Sequence, residues 1–197
     1  MVGYIKGEKK NYTKQYFQSD GDIIVLLGNT KEEIGASEYL KEIHGLVKGP
    51  VPDIDLKKEI GLQKTCIEGI RKGIIKSAHD ISKGGFAVAL AESCISARLF
   101  GAKPIGAYIE LQSDIRIDAL LFGETQSRAI VTVKKDKVIE LKKIALKNKI
   151  LATEIGKTGG NRLIINIDWA SKKYSRKLNI TLEELENFWF NGVNKYV

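Results

Sequence analysis

Cysteine, histidine and proline are scarce in this chain: two, two and three among 197 residues. Cys66 and Cys94 are too few and too far apart for a disulfide framework or a cysteine-rich zinc site. His44 and His79 are the only imidazoles, and neither cysteine has a base near it in the sequence, so no nucleophile and base pair stands out. Long apolar runs are missing too. The longest, residues 23–27 and 86–91, fall far short of a membrane span, and residues 1–10, MVGYIKGEKK, lack the apolar core of a signal peptide. A cytoplasmic protein with reduced thiols and no membrane partner is expected.

What is present is enough apolar material for one ordinary core: 43% of residues are hydrophobic and 28% charged. The formal net charge is +8. A polyanionic partner would account for that excess if the cations were clustered, but along the chain they are spread out. The densest groups, residues 134–149 and 172–177, lack the interleaved aromatics of a base-stacking platform and the spacing of a zinc finger or an RNP motif. They read as solvated basic faces, and no nucleic-acid partner is expected.

Residues 1–20 show no sustained period and read as a linker or an orphan strand; residues 21–197 form the domain proper. Residues 22–27 are a continuous apolar run ended by Gly28, the pattern of a strand covered on both faces. Thr30 with Glu33 has capping-box spacing and predicts a helix from there to Gly45. Asp55 is placed to cap a second helix, with Leu56, Ile60, Ile67 and Ile70 on one side and Gly73 as its stop. A strand over 74–78, a turn, and a small-residue helix over 86–97 follow. Residues 105–111 alternate as a one-faced strand does. A short helix after Asp114, a strand over 129–133, a helix capped by Asp136, and two strands around 156–167 come next. The run KTGG at 157–160 reads as a hairpin turn. A helix over 182–190 closes the pattern, with Thr181 and Glu184 again at capping-box spacing. Alternating strands and helices predict an α/β (α+β) fold with a mixed sheet and packed helices.

Two segments carry chemistry. Residues 77–93, SAHDISKGGFAVALAES, run from a strand through a glycine-paired turn into a helix. Gly84 and Gly85 let backbone amides approach an anion, Ser82 offers a hydroxyl, and the helix start adds unpaired N–H groups. Asp80 offers a hard oxygen for magnesium. The same pattern also describes an ordinary tight turn in which His79 and Asp80 bond each other or the backbone. The second segment, FGETQSRAIVTV at 122–133, places five polar residues between a helix and a strand. Arg128 could fork onto a phosphate, with hydroxyls from Thr125 and Ser127, or pair with Glu124 and merely close the loop.

Taken together and in this order, GDIIVLLGNTKEEIGASEYL at 21–40, IHGLVKGPVPDIDL at 43–56 and the two segments above resemble the carboxy-terminal α/β domain of the phosphoribosylformylglycinamidine synthases, also called formylglycinamide ribonucleotide amidotransferases. The wider superfamily includes aminoimidazole ribonucleotide synthetase, selenophosphate synthetase, thiamine-phosphate kinase and a hydrogenase maturation factor; these relatives usually differ around HDIS and ETQSR and rank second. The resemblance implies the carboxy-terminal-domain fold of aminoimidazole ribonucleotide synthetase. It also implies a full enzyme with two ATP-binding and two α/β domains, of which this chain looks like the second α/β copy. Residues 1–20, with VGYIKG at 2–7, look like the last strand of a preceding ATP-binding domain.

The family reaction uses ATP, magnesium and glutamine-derived ammonia to convert formylglycinamide ribonucleotide to formylglycinamidine ribonucleotide, ADP and phosphate. The chain would then be part of a carbon–nitrogen ligase, inactive alone, with its catalytic residues on the absent ATP-binding and first α/β domains. A glutaminase subunit or domain is an implied partner, and a homodimer is allowed. By internal symmetry Asp80 corresponds to a metal-binding aspartate, and Glu124, Thr125 and Gln126 to a Glu-Ser-Gln substrate motif with Thr in place of Ser. Phosphate or nucleotide contacts are expected from Ser82, Gly84, Gly85, Glu124, Thr125, Gln126, Ser127 and Arg128, lining an auxiliary nucleotide site or serving structure alone. Lys83 departs from the family, which often has an acidic residue there. The remaining alternative is a stand-alone anion-binding or scaffolding domain.

Overall fold

A computed structural model describes residues 12–169 and 174–192. Its centre is one mixed sheet of seven strands: β1 (Ile23–Leu27), β2 (Ile75–Asp80), β3 (Ala107–Gln112), β4 (Ala129–Val133), β5 (Ala152–Thr158), β6 (Arg162–Trp169) and β7 (Tyr174–Thr181). Their order across the sheet is β2-β4-β1-β5-β3-β6-β7. Every neighbouring pair is antiparallel except β3 and β6. The predicted mixed sheet with packed helices is the fold observed.

Strand β1 explains why a continuous apolar run was needed. Ile24 and Leu26 point into one core and Val25 and Leu27 into the other. On the first face lie α3 (Gly85–Ile95), α4 (Ile117–Phe122) and α6 (Leu182–Asn191), packed on Ile109, Leu163, Ile165 and Ile167. On the second lie α2 (Leu56–Arg71) and α5 (Val138–Lys147), packed on Val25, Val131 and Val133. Two glycines bring α2 in close: a Cβ at Gly61 would stand 2.5 Å from the Asn148 carbonyl oxygen, and one at Gly69 would stand 2.6 Å from Ile75 Cδ1. Strands β3 and β6 contribute buried residues only to the first core, against which β7 packs the partly buried Leu178 and Ile180. Their other side carries Tyr108, Glu110 and Asn166, the last donating to the Tyr108 hydroxyl at 2.8 Å. A broad trough of about 1650 Å³ runs past this part of the sheet.

Several local expectations hold. Asp55 caps α2 by accepting from the Lys57 and Lys58 amides, and the Thr181–Glu184 capping box opens α6. Others are corrected. The helix expected from Thr30 is only α1 (Glu38–His44), capped by Ser37, because the Thr30 hydroxyl is taken by Arg128. Asp136 lies in a 3-10 turn, Lys135–Lys137, and α5 starts without a side-chain cap. The KTGG segment turns the chain, but the strands it joins are not partners, since β3 is inserted between β5 and β6. Strand β7 had no sequence expectation at all.

Residues 12–20, the described part of the segment read as a linker or orphan strand, pack on the domain. Phe17 is 2% exposed and donates its amide to the Ser93 carbonyl. Lys14 bridges in parallel to Ser77, Thr13 and Gln18 both bond the Lys76 carbonyl, and the Thr158 hydroxyl donates to the Ser19 carbonyl at 2.6 Å. The VGYIKG run lies outside the described residues.

Candidate functional site

The two chemistry-bearing segments meet. Asp80 at the end of β2 is in register with Ala129 at the start of β4, and the Ile81 amide donates to the Arg128 carbonyl at 3.0 Å. The glycine-paired turn and the polar loop therefore form one corner at the sheet's β2 and β4 edge. Close backbone approach explains Gly85: its φ is +71°, and a Cβ there would lie 2.6 Å from the Phe122 carbonyl carbon. Gly28 does the same from β1, with φ +91° and its absent Cβ 2.3 Å from the Ser127 carbonyl oxygen.

Glu124 holds the corner together. Its Oε1 accepts from the Gly84 amide at 2.9 Å and from the Glu38 amide, also at 2.9 Å. Gly84 is the N-cap of α3 and Glu38 the first residue of α1, so one carboxylate serves two helix starts. A carboxylate suits that position because helix N-termini present unpaired donors and a positive dipole end. The anion expected from outside is supplied internally at Gly84, and the Gly85 amide bonds the Ser82 carbonyl at 3.0 Å. Glu124 makes no salt bridge to Arg128.

Arg128 turns inward. It is 1% exposed and donates from Nε to the Thr125 carbonyl at 2.9 Å, from one terminal nitrogen to the Thr30 hydroxyl at 3.1 Å, and from the other to the Gly123 carbonyl at 2.7 Å. Burial lowers its pKa to about 10, with Glu33 opposing, so it keeps its charge at neutral pH. The phosphate fork expected of Arg128 is spent on the loop's own backbone. Thr125 is buried with its hydroxyl 3.4 Å from the Lys31 amide, and Ser127, at φ +59°, donates to Glu59 Oε2 at 2.7 Å. Gln126 is exposed, its side-chain amide donating to the Glu124 carbonyl at 3.1 Å. Beside this loop a recess of about 50 Å³, lined also by Lys31, Lys58 and Lys149, is far smaller than the several hundred Å³ of typical ligand pockets.

Ser82 and Asp80 face solvent, with 79% of the Asp80 side chain exposed. Among the described residues no group of three His, Cys, Asp or Glu side chains could hold a metal ion. The Asp80 carboxylate thus stands, among those residues, without a second carboxylate or imidazole cluster around it. His79, by contrast, is buried, with Nε2 2.9 Å from Glu92 Oε2 and Nδ1 2.8 Å from the Asp80 carbonyl oxygen. Nδ1 hydrogen-bonds the Asp80 carbonyl, while the Glu92 carboxylate sits at ion-pair distance from Nε2 without hydrogen-bond geometry, and both favour the ring protonated on both nitrogens. Burial works against that charge, yet the Glu92 carboxylate and the Asp80 carbonyl raise the pKa above the usual 6.5. Burial pushes the Cys66 thiol up to about 11 and raises that of Cys94 further, so neither is a ready nucleophile. Glu92, Glu59 and the Glu38 amide had no sequence signal, because each acts across dozens of residues or from the next element.

A family model for the carboxy-terminal domain of AIR synthase related proteins matches residues 19–167. The chain belongs to this family. Within it the chain is similar to the phosphoribosylformylglycinamidine synthase subunit PurL of Caldanaerobacter subterraneus subsp. tengcongensis, 43% identical over 189 residues that make up 96% of this chain and 24% of the relative. The PurL of Moorella thermoacetica is 40% identical, covering 90% of this chain and 23% of its own length. The chain thus spans about a quarter of the length of the curated relatives it matches, in their carboxy-terminal region. The AIR synthase related fold is shared with Thermotoga maritima PurL solved with FGAR, at a TM-score of 0.70 and 18% identity over 90% of this chain and 30% of that one. Escherichia coli HypE, a hydrogenase maturation protein, follows at 0.55 and 18% identity, covering 86% and 52%. No helix among the described residues is long and apolar enough to cross a membrane.

Proposed function

We propose that this chain is the carboxy-terminal α/β module of a phosphoribosylformylglycinamidine synthase. It would serve purine biosynthesis through the ATP-dependent conversion of formylglycinamide ribonucleotide to formylglycinamidine ribonucleotide. The observation that carries the reading is the 43% identity to PurL along 96% of the chain. Thermotoga maritima PurL has been solved with ATP, ADP and AMPPCP, which supports nucleotide binding by the assembled enzyme.

The corner acts as a rigid rim. Glu124, Arg128, Gly84 and Gly85 fix its shape, Thr125 and Ser127 anchor it, and Asp80, Ser82 and Gln126 are the groups it presents outward. Magnesium, if met here, would be held by phosphate oxygens and by carboxylates of other domains, with Asp80 as at most one ligand. Catalytic groups and most nucleotide contacts belong to the ATP-binding and first α/β domains, and the ammonia to a glutaminase partner.

Mixing the chain with the preceding domains, magnesium, ATP, formylglycinamide ribonucleotide and ammonium should give turnover that neither part shows alone. Turnover by the chain by itself, or none in a mixture of folded parts, would contradict the proposal. A stand-alone anion-binding domain is disfavoured, because Glu124 already fills the amide cradle that such a function needs.

A further inference from the structure

The cations that look scattered along the sequence are gathered by the fold. Residues 55–72 and 134–149, the α2 and α5 layer with its flanks, hold twelve Lys and Arg against five Asp and Glu, which is seven of the chain's net charge of +8. Both helices bury one side, Gly61, Leu62, Thr65 and Gly69 on α2 and Val138, Leu141, Ile144 and Ala145 on α5. On the opposite side of α2, Lys57, Ile60, Lys64, Ile67 and Arg71 follow one another at spacings of three and four, so they form a single line along the helix. Ile60 and Ile67 are 51% and 49% exposed. On α5, Ile139 and Leu146, again seven apart, are 69% and 77% exposed, with the exposed Lys142 and Lys143 between them.

Four of the layer's five acids are engaged, Asp55 as the cap of α2. Glu68 pairs with Lys72 and Lys147, Glu140 with Lys137, and Glu59 accepts from Ser127 and Gln63. Lys57, Lys64, Arg71 and Lys143 form no salt bridge among the described residues. A single exposed isoleucine needs no explanation, but a seven-residue repeat of them on two adjacent helices does. A merely solvated face has no use for that repeat. A nucleic-acid surface would favour arginines and aromatics for phosphate forks and base stacking, and this face has one arginine and no aromatic.

We propose that the outer face of α2 and α5 docks an acidic amphipathic helix of a protein partner. Leucine-like residues at three- and four-residue spacing on that helix meet Ile60, Ile67, Ile139 and Leu146, and its flanking Asp and Glu meet the lysines. Apolar contacts supply affinity; the charges supply speed of encounter and orientation. The inference is independent of the synthase assignment, since it uses none of the corner residues.

The probe is a capped peptide of about twenty residues with Leu at heptad a and d positions and Glu at e and g, titrated calorimetrically into the whole chain. A scrambled peptide of the same composition, poly(U) and phosphatidylglycerol vesicles are the comparisons. Saturable one-to-one binding of the heptad peptide is expected, weakened about tenfold or more by Ile67→Ser with Leu146→Ser and by Lys64→Glu with Lys143→Glu. These positions are exposed, so an unchanged far-ultraviolet spectrum certifies the fold of each variant. The proposal is overturned if the heptad peptide does not bind, if the scrambled peptide binds as well, if the serine pair has no effect, or if poly(U) or vesicles bind in its place.

Discussion

Glu124 Oε1 and the Gly84 amide nitrogen lie 2.9 Å apart, joining the loop before β4 to the turn before α3 across forty residues of chain. The same oxygen receives the Glu38 amide, so three segments depend on one carboxylate. This bond is why the two polar motifs share a corner, and why that corner is a fixed rim instead of an open anion cradle.

Arg128 should matter more to folding than to ligand binding. Arg128→Met removes three donors and leaves the Thr125 and Gly123 carbonyls buried without partners. A loss of about 3–5 kcal/mol is expected, as for breaking other buried charged networks. Arg128→Lys keeps the charge but not the fork, and should recover only part of it. Urea midpoints at unchanged slope would measure this; a loss under about 1 kcal/mol would mean the fork is dispensable.

Two glycines with nearly equal φ separate backbone strain from close approach. Gly101 has φ +68° with nothing within 4 Å of a built Cβ, so Gly101→Ala should cost about 1–2 kcal/mol, the ordinary left-handed penalty. Gly85 has φ +71° but meets Phe122 and Gly123 backbone at 2.6–2.8 Å, so Gly85→Ala should cost clearly more, about 3 kcal/mol or beyond. Equal losses in thermal or urea unfolding would show that α3 and α4 are not in contact at that point.

The His79 and Glu92 pair sets a pH dependence whose sign follows from the raised pKa. Protonated His79 is favoured in the folded chain, so its contribution to stability is complete below pH 6.5 and is lost as pH rises through the folded pKa. Glu92→Gln removes the main group favouring the charge, leaving burial opposed only by Asp80, so the pKa falls. Proton NMR titration of the His79 ring should give a value above 6.5 in the native chain and a lower one in the variant. No difference between them would place the carboxylate outside effective contact.

Local chemistry is what the sequence made legible. Residues 22–27 read as a strand covered on both faces because alternate residues of β1 feed opposite cores, and Asp55 and Thr181 read as caps because a cap acts within three residues. Thr30 misled for the opposite reason: its hydroxyl satisfies a guanidinium 98 residues away in place of its own helix. Strand β7 was hidden because an edge strand shows mostly polar, charged residues such as Arg176 and Lys177, as edges exposed to other chains tend to do. The corner's residues were legible as a group, but the inward turn of Arg128 was not, since a buried guanidinium and a phosphate-binding one are the same letter. The basic layer was likewise invisible until α2 and α5 were seen side by side.

The closed form of the corner depends on Glu124 being the anion that its amides bind. Backbone NMR of the native chain and of Glu124→Ala during phosphate titration tests this directly. In the native chain the Gly84 and Glu38 amide resonances should not respond to phosphate, and in the variant both should move with a common saturation. A saturable Gly84 shift in the native chain would mean that an external anion holds the place here given to Glu124.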